Sequence, residues 1–151
     1  MNDLTTSNIN TMSDVALSKV TGLEKALLDH PHVEIFTDHV LHAGMYARTI
    51  LVPAGVVLTG ALMKIATVLI ISGEFVLFAG DEAVELNGYH VFTGWPNRKQ
   101  AGVAKTDTWV TMIFPTDAKT VEEAENQFTD EVDLLSSRKD GALNYVRITG
   151  A

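Results

Sequence analysis

The spacing of apolar residues divides the chain into a helical beginning, a β-rich middle and a helical end. Apolar residues recur at helical spacing from about Asp14 to Asp29, which predicts a first helix. Pro31 ends it, because the residue before a proline is disfavoured in the helical conformation. Residues 1–12 show no such period and are rich in Asn, Thr and Ser. They are predicted to form a flexible arm.

The middle of the chain consists of short β-forming segments. From Val33 to Pro115 these segments are separated by Gly, Pro and Asn at intervals of roughly 8–12 residues, which predicts an all-β sandwich or barrel. Asn87-Gly88 is the strongest hairpin signal, since both residues tolerate the left-handed conformation of a tight turn. No helical segment long enough for a crossover interrupts the strands, which argues against a parallel α/β sheet.

The end of the chain is predicted to be helical and amphipathic. Thr120 and Glu123 have the spacing of a capping box, and apolar residues then keep a helical period to Leu135. The acidic residues are assigned to the opposite, solvated face: Glu122, Glu123, Glu125, Asp130 and Asp133. Residues 138–151 are predicted to be a tail or an added strand. The whole chain is interpreted as one domain.

Composition excludes several classes of function. The 19 acidic and 11 basic residues give a net charge of −8, which argues against nucleic acid and anionic membranes as partners. The chain has no cysteine, so disulfides, thiolate metal sites and cysteine nucleophiles are excluded. The most apolar stretch, residues 65–71, is far shorter than a membrane span, and no signal peptide is visible.

Four motifs in the β-rich region resemble those of a known family. They are Tyr46-Ala47-Arg48, Val52-Pro53-Ala54-Gly55-x-x-Leu58-Thr59-Gly60, Ser72-Gly73 and Asp107-Thr108-Trp109. From Leu17 to Val132 the chain resembles small cupin-like proteins of bacteria, especially of tailed phages and prophages. The resemblance implies a mainly β fold, a jelly roll or double-stranded β-helix, within a domain of residues 13–137 that includes both flanking helices. It also implies a dimer or larger homo-oligomer, located in the cytoplasm of a bacterium or infected cell, or in the virion.

The resemblance also identifies positions where such proteins generally bind a divalent metal. These positions hold Met63, Ala66, Thr67 and Lys105. Methionine is a soft ligand, alanine has no donor, threonine is weak and lysine repels a cation. No His or acid lies between residues 48 and 74. We therefore expect that the metal motif is lost and that no cofactor is bound, which argues against an enzyme without closing that alternative.

Two roles are possible for the basic residues of this acidic chain. Arg48, Lys64, Arg98, Lys99 and Lys105 either form ion pairs with the acidic surplus or hold a small anion at the barrel mouth. The candidate ligand-binding residues are Lys64, Lys105 and Trp95, which follows Gly94 in a loop. Trp109 is instead expected in the core, as are Met63, Ile65, Val68 and Ile70.

Three functions remain open. The favoured one is a metal-free structural or interaction module of phage origin, which assembles with itself and with other virion or phage proteins. The second is a binding module that holds an anionic metabolite or nucleotide in the barrel. The third is a divergent metal-dependent enzyme that uses His39, His42 or His90. His39 and His42 are three apart on a predicted strand and so point to opposite faces, which prevents them from chelating one ion together.

Overall fold

The computed structural model describes residues 8–79 and 82–150, and β-strands dominate this part of the chain. In chain order its strands and α-helices are β1 (Asn8–Ile9), α1 (Asp14–Leu27), β2 (Phe36–His42), β3 (Met45–Val52), β4 (Val57–Thr59), β5 (Thr67–Ala79), β6 (Glu82–Gly94), β7 (Ala101–Ala104), β8 (Thr108–Pro115), α2 (Val121–Phe128) and β9 (Asn144–Thr149). Two 3-10 turns, Val132–Leu134 and Ser136–Arg138, connect α2 to β9. No helix in the described ranges is long and apolar enough to cross a membrane.

Strand pairing defines a jelly roll, the fold class predicted from the sequence. The strands follow the order β1-β6-β5-β8-β3-β2-β9, and β4 pairs with β7, which in turn pairs with β5. The first part of β5, residues 68–72, pairs with β8, whereas residues 75–78 pair with β7. β5 therefore changes its partner from β8 to β7 part-way along, and β6 stays paired with it throughout.

A pair of glycines marks the point where β5 changes its partner. Gly73 lies opposite Gly88 in the antiparallel β5–β6 ladder, and both have positive φ, at 144° and 89°. A Cβ added to Gly73 would lie 2.6 Å from Thr108 Oγ1 and 3.0 Å from the Asp107 carbonyl oxygen. The prediction of a hairpin turn at Asn87-Gly88 is therefore wrong. The positive φ of Gly88 serves a bend within β6 instead of a turn between strands.

Both helices begin near their predicted starts. The Ser13 side chain caps α1 by accepting a hydrogen bond from the Ala16 N–H at 3.1 Å. The Thr120 hydroxyl caps α2 by accepting one from the Glu123 N–H at 3.1 Å, as the capping-box spacing predicted. However, α2 ends at Phe128, because Thr129 is extended. The rest of the predicted helix, up to Leu135, is replaced by non-helical backbone at Thr129 and the 3-10 turn Val132–Leu134.

The barrel core is formed by inward-facing side chains of the strands, with further residues from α2 and the segment after it. Its fully buried members include Tyr46, Val52, Ile71, Phe92 and Phe114. Because side chains alternate along a strand, Leu69 and Ile71 of β5 point inward, and Val68 is 40% exposed. Trp109 is also half-exposed, on the outer face opposite Leu51 and Ser72. The expectation that Val68, Ile70 and Trp109 lie in the core is therefore wrong, because Ile70 shares the outer face of β5 with Val68 and lies opposite Val91.

The two ends of the described chain are both attached to the sheet. β1 pairs in parallel with the end of β6, and Ile9 and Met12 are buried. Residues 8–12 thus differ from the flexible arm expected for residues 1–12, because these two apolar side chains pack on the domain. Residues 1–7 lie outside the described part. At the other end, β9 pairs in parallel with β2 and is an added strand.

Candidate ligand site in the barrel

A cavity of about 200 Å³ lies inside the barrel and opens to solvent. Most of its walls are apolar, and the strand and loop residues that form them include Ile50, Leu58, Met63, Leu69, Val110 and Met112. Phe128 and Leu135 add the wall contributed by the C-terminal segment. The polar residues that line the cavity are Arg48, Thr59, Arg98, Gln100 and Ser136.

Arg98 is the polar residue with the most unusual surroundings. It is only 1% exposed and lies against Gly94, whose lack of a side chain makes room for the guanidinium. Its Nη1 donates to the Trp95 carbonyl at 2.6 Å, and its Nη2 donates to Thr67 Oγ1 at 2.5 Å. Within the described ranges no carboxylate pairs with Arg98, and its Nε has no hydrogen-bond partner. Burial lowers the pKa of Arg98 to about 10.

A second donor without a partner lines the same cavity. The side-chain Nε2 of Gln100 is buried and has no hydrogen-bond partner in the described structure. A buried donor that is left unpaired costs free energy, as does a buried charge without a counter-ion. Arg98 and Gln100 together supply a positive charge and two side-chain nitrogens, Nε and Nε2, that have no hydrogen-bond partner in the described structure. This combination suits a ligand that carries negatively charged acceptor oxygens.

Lys99 shows how the protein neutralises a buried cation elsewhere. Lys99 is also almost completely buried, but its Nζ lies 3.0 Å from Glu24 Oε2 and 2.7 Å from Glu131 Oε1. Burial raises the pKa of Glu131, but hydrogen bonds from Lys99 and the Leu62 backbone outweigh it, so that pKa is lowered overall. Two acids therefore stabilise Lys99, whereas adjacent Arg98 has no acid partner among residues 8–79 and 82–150.

The C-terminal segment is fastened to the barrel beside the cavity by a buried ion-pair cluster. Glu125 of α2 accepts from Arg48 Nη1 at 2.7 Å and from Arg138 Nε at 2.8 Å, and it also accepts from the Ser137 hydroxyl. Burial raises the pKa of Glu125, but these three hydrogen bonds and the charge of Arg48 outweigh it and lower that pKa. The sequence placed Glu125 on a solvated face. That prediction is wrong, because α2 turns this residue toward Arg48.

The histidines do not form a common site. His39 is buried, with Nδ1 2.7 Å from the Tyr46 hydroxyl and Nε2 2.7 Å from Asn144 Oδ1. Burial lowers the pKa of His39, and burial also raises the pKa of Tyr46 to about 12. His42 lies on the opposite, exposed side of β2, and His90 bonds the Asn87 carbonyl at 3.0 Å. The structure therefore assigns His39 to a buried hydrogen-bond network that includes β9.

The three predicted ligand residues lie outside the barrel cavity. Lys64 is exposed and pairs with Asp130 at 2.6 Å, beside a separate surface depression. Trp95 is 54% exposed and does not line the cavity, although its backbone carbonyl accepts a hydrogen bond from Arg98. Lys105 is at the surface and pairs with Glu85 at 3.0 Å. The sequence analysis grouped Arg98 with the other cations, because a sequence does not show which basic residue lacks an acidic partner in the folded protein.

The positions that the resemblance equates with metal ligands do not form a metal site in the described residues. Met63 lines the cavity, Thr67 is bonded to Arg98, and Ala66 and Lys105 are exposed. The described residues contain no group of three or more His, Asp or Glu side chains arranged to hold an ion. The donor set of the cavity wall, which combines thioether, hydroxyl and cationic groups, does not fit a divalent metal.

Comparison with known proteins finds partial likenesses among solved structures. No protein-family model and no curated protein matches the chain. A cupin superfamily protein from Desulfitobacterium hafniense is 15% identical, with a TM-score of 0.46 over 61% of this chain and 86% of that one. A double-stranded β-helix protein from Klebsiella pneumoniae is 14% identical, with a TM-score of 0.46 over 62% of this chain and 83% of that one.

A third similar structure belongs to a larger protein. The salicylate 1,2-dioxygenase of Pseudaminobacter salicylatoxidans is 15% identical, with a TM-score of 0.47 over 76% of this chain but only 35% of the enzyme. The structural neighbours thus include cupin superfamily and double-stranded β-helix proteins. Because these likenesses are partial, the strand pairing of this chain defines its fold, and its function has to be inferred from its own residues.

Proposed function

We propose that the protein is a binding module whose barrel cavity holds a small organic anion. The observation that carries this proposal is the buried Arg98 guanidinium, which lines the cavity and has no acid partner in the described ranges. A bound anion supplies the counter-charge that the guanidinium lacks, and it lies beside Arg98 and Gln100, which both line the cavity. This choice differs from the structural role that the sequence favoured.

The size and lining of the cavity define the class of ligand. Its volume of about 200 Å³ exceeds the roughly 150 Å³ of an engineered apolar protein cavity that binds benzene. Its walls are largely aliphatic and thioether groups, which favour an apolar body over a sugar or a nucleotide. The expected ligand is a carboxylate on one aromatic ring or on a short branched chain.

A thermal-shift screen with matched variants tests this proposal. Benzoate and branched-chain carboxylates are expected to raise the melting temperature of the wild type, and a neutral amide of the same shape is not. Arg98→Met is expected to lose this response, because it removes the charge but keeps an apolar stem of similar length. Lys64→Met and Lys105→Met are controls, since both lysines are outside the cavity, and they should respond like the wild type.

The outcome distinguishes the two sets of candidate residues. A ligand response that persists in Arg98→Met but disappears in Lys64→Met or Lys105→Met would restore the surface lysines as the site. The absence of any response across the carboxylate series in the wild type would contradict the proposal. The unliganded stability of each variant is measured separately, so that misfolding is not mistaken for loss of binding.

We propose an oligomeric assembly module as the second candidate function. It is favoured by the outer sheet face, where large apolar residues from three neighbouring strands are exposed: Val68, Tyr89, Val91 and Trp109. An exposed apolar surface of this kind is typical of proteins that associate. Assembly with itself and with phage or virion proteins is the role expected from the resemblance. Light scattering of the purified protein tests self-association, and a monomer at tens of micromolar would count against it.

A further inference from the structure

β9 forms a long open edge of the sheet. It is the last strand in the sheet order, and in the described structure it pairs on one side only, with β2. All six of its residues, Asn144–Thr149, are exposed. Its one charged residue, Arg147, is paired with Asp38 of the same chain, and it contains no Lys or Pro, the residues that most often protect an edge. By contrast, the opposite end of the sheet is the two-residue strand β1.

The hydrogen bonds to β2 show which backbone groups of β9 face the open edge. The Leu143 carbonyl accepts from the Thr37 N–H at 2.8 Å, and the Thr149 carbonyl accepts from the Ala43 N–H at 3.3 Å. In a parallel ladder, alternate residues bond to the neighbouring strand. Leu143 and Thr149 both bond to β2, so the alternate residues between them, Tyr145 and Arg147, bond to β2 as well. Asn144, Val146 and Ile148 direct their N–H and C=O groups away from β2.

We propose that the open edge of β9 pairs in antiparallel fashion with β9 of a second copy of this chain, across a two-fold axis at Val146. A two-fold contact is the commonest form of self-association, and it requires a strand that is complementary to itself when reversed. In this register Val146 lies opposite Val146 of the second copy, and Asn144 lies opposite Ile148. The outward N–H and C=O groups of all three then meet partners.

The side chains of β9 favour this register over its neighbours. Tyr145 and Arg147 share one face of the strand, and the Arg147 Cζ lies 5.4 Å from the Tyr145 ring centroid. The axis at Val146 places each Arg147 across from Tyr145 of the other copy, which is a favourable cation–aromatic pair. A two-fold axis at Arg147 would instead place the two Arg147 side chains opposite each other, and like charges at paired positions are unfavourable.

The charge of this edge also favours a second copy as the occupant. Each chain carries a net charge of −8, so copies repel one another over most of their surfaces. Arg147 is the sole charged residue in positions 141–150, and its Nη2 lies 2.7 Å from Asp38 Oδ2 of the same chain. The edge is thus locally neutral, and two copies approach there with little repulsion. This inference is independent of the cavity ligand.

A proline placed at the axis tests the pairing without disturbing β2. The N–H of Val146 faces the open edge, so Val146→Pro removes a donor that the β2–β9 ladder does not use. We expect the wild type to be a dimer by light scattering, and Val146→Pro to dimerise about tenfold or more weakly. Val146→Thr keeps the N–H and the β-branched shape, and it should remain dimeric. Urea unfolding of each variant shows whether the domain itself is intact.

A cysteine at the axis provides a second measurement, because the chain has no cysteine of its own. With a short bismaleimide, Val146→Cys should give a covalent dimer at concentrations where Leu28→Cys gives none. Leu28 is an exposed control residue at the end of α1. A dimer that survives Val146→Pro and fails to cross-link through Cys at 146 would overturn the proposal and favour the outer sheet face.

A monomeric wild type at tens of micromolar would also overturn the proposal.

Discussion

Arg48 and Glu125 are 77 residues apart in the sequence, yet their buried side chains meet at 2.7 Å between Nη1 and Oε2. This contact fastens α2 to β3 and so positions the C-terminal wall of the cavity. Arg138 and Ser137 bond the same carboxylate from the second 3-10 turn. The Glu125 side chain therefore links β3 of the barrel to both α2 and the second 3-10 turn.

Replacement of Glu125 tests the strength of this cluster. Glu125→Gln leaves the buried Arg48 without its counter-charge, and removal of one member of a buried pair typically costs about 3–5 kcal/mol. We expect a loss of that order in the free energy of unfolding, measured with urea. Glu122→Gln is the matched control on the exposed side of α2 and should change stability by less than about 0.5 kcal/mol. Equal effects of the two changes would contradict the role assigned to Glu125.

The stability of the protein should fall as the solution becomes acidic. The pKa of His39 is lowered from 6.5 and that of Glu125 is lowered from 4.5, so the unfolded chain takes up both protons before the folded chain does. Both groups thus contribute stability above these values, and this stability is lost as the pH falls below 6.5 and then below 4.5. Urea unfolding across this range measures the loss. Glu125→Gln should flatten the decline below pH 4.5, and an unchanged slope there would contradict this explanation.

The two corner glycines should respond unequally to alanine. Gly73→Ala places a Cβ within 3.0 Å of the Asp107 backbone, whereas Gly88→Ala meets nothing within 4 Å. Gly88→Ala therefore costs only backbone strain, about 1–2 kcal/mol, and Gly73→Ala should cost more in urea unfolding. If the two substitutions are equally costly, the close approach of Gly73 to the β7–β8 turn does not matter for stability.

The protein is expected to purify without a stoichiometric divalent metal. The physical reason is the set Met63, Ala66, Thr67 and Lys105 at the family's ligand positions, together with the cationic Arg98 beside Thr67. Elemental analysis after purification without chelators is the measurement. About one Fe, Mn, Ni or Zn per chain would contradict the prediction and support the enzyme hypothesis.

Much of the fold could be predicted because its signals are local. The helical spacing before Pro31, the Thr120 cap and the frequent turn residues each depend on a few neighbouring positions, and they indicated the helices and a mainly β barrel. The Asn87-Gly88 signal is local too, but it was misread. Positive φ at Gly88 is required either by a turn or by a bend, and only its partner Gly73 on β5 distinguishes the two.

The candidate site was decided by tertiary structure. Sequence alone determined that the chain is acidic, lacks cysteine and carries five cations of interest, but it did not determine which acids meet them. Lys64, Lys99 and Lys105 each find a carboxylate 20 or more residues away, and Arg98 finds none in the described structure. The reason is physical: strand register sets which face a side chain takes, and folding brings distant segments into contact. The charge left unpaired in the cavity is therefore a property of the assembled barrel.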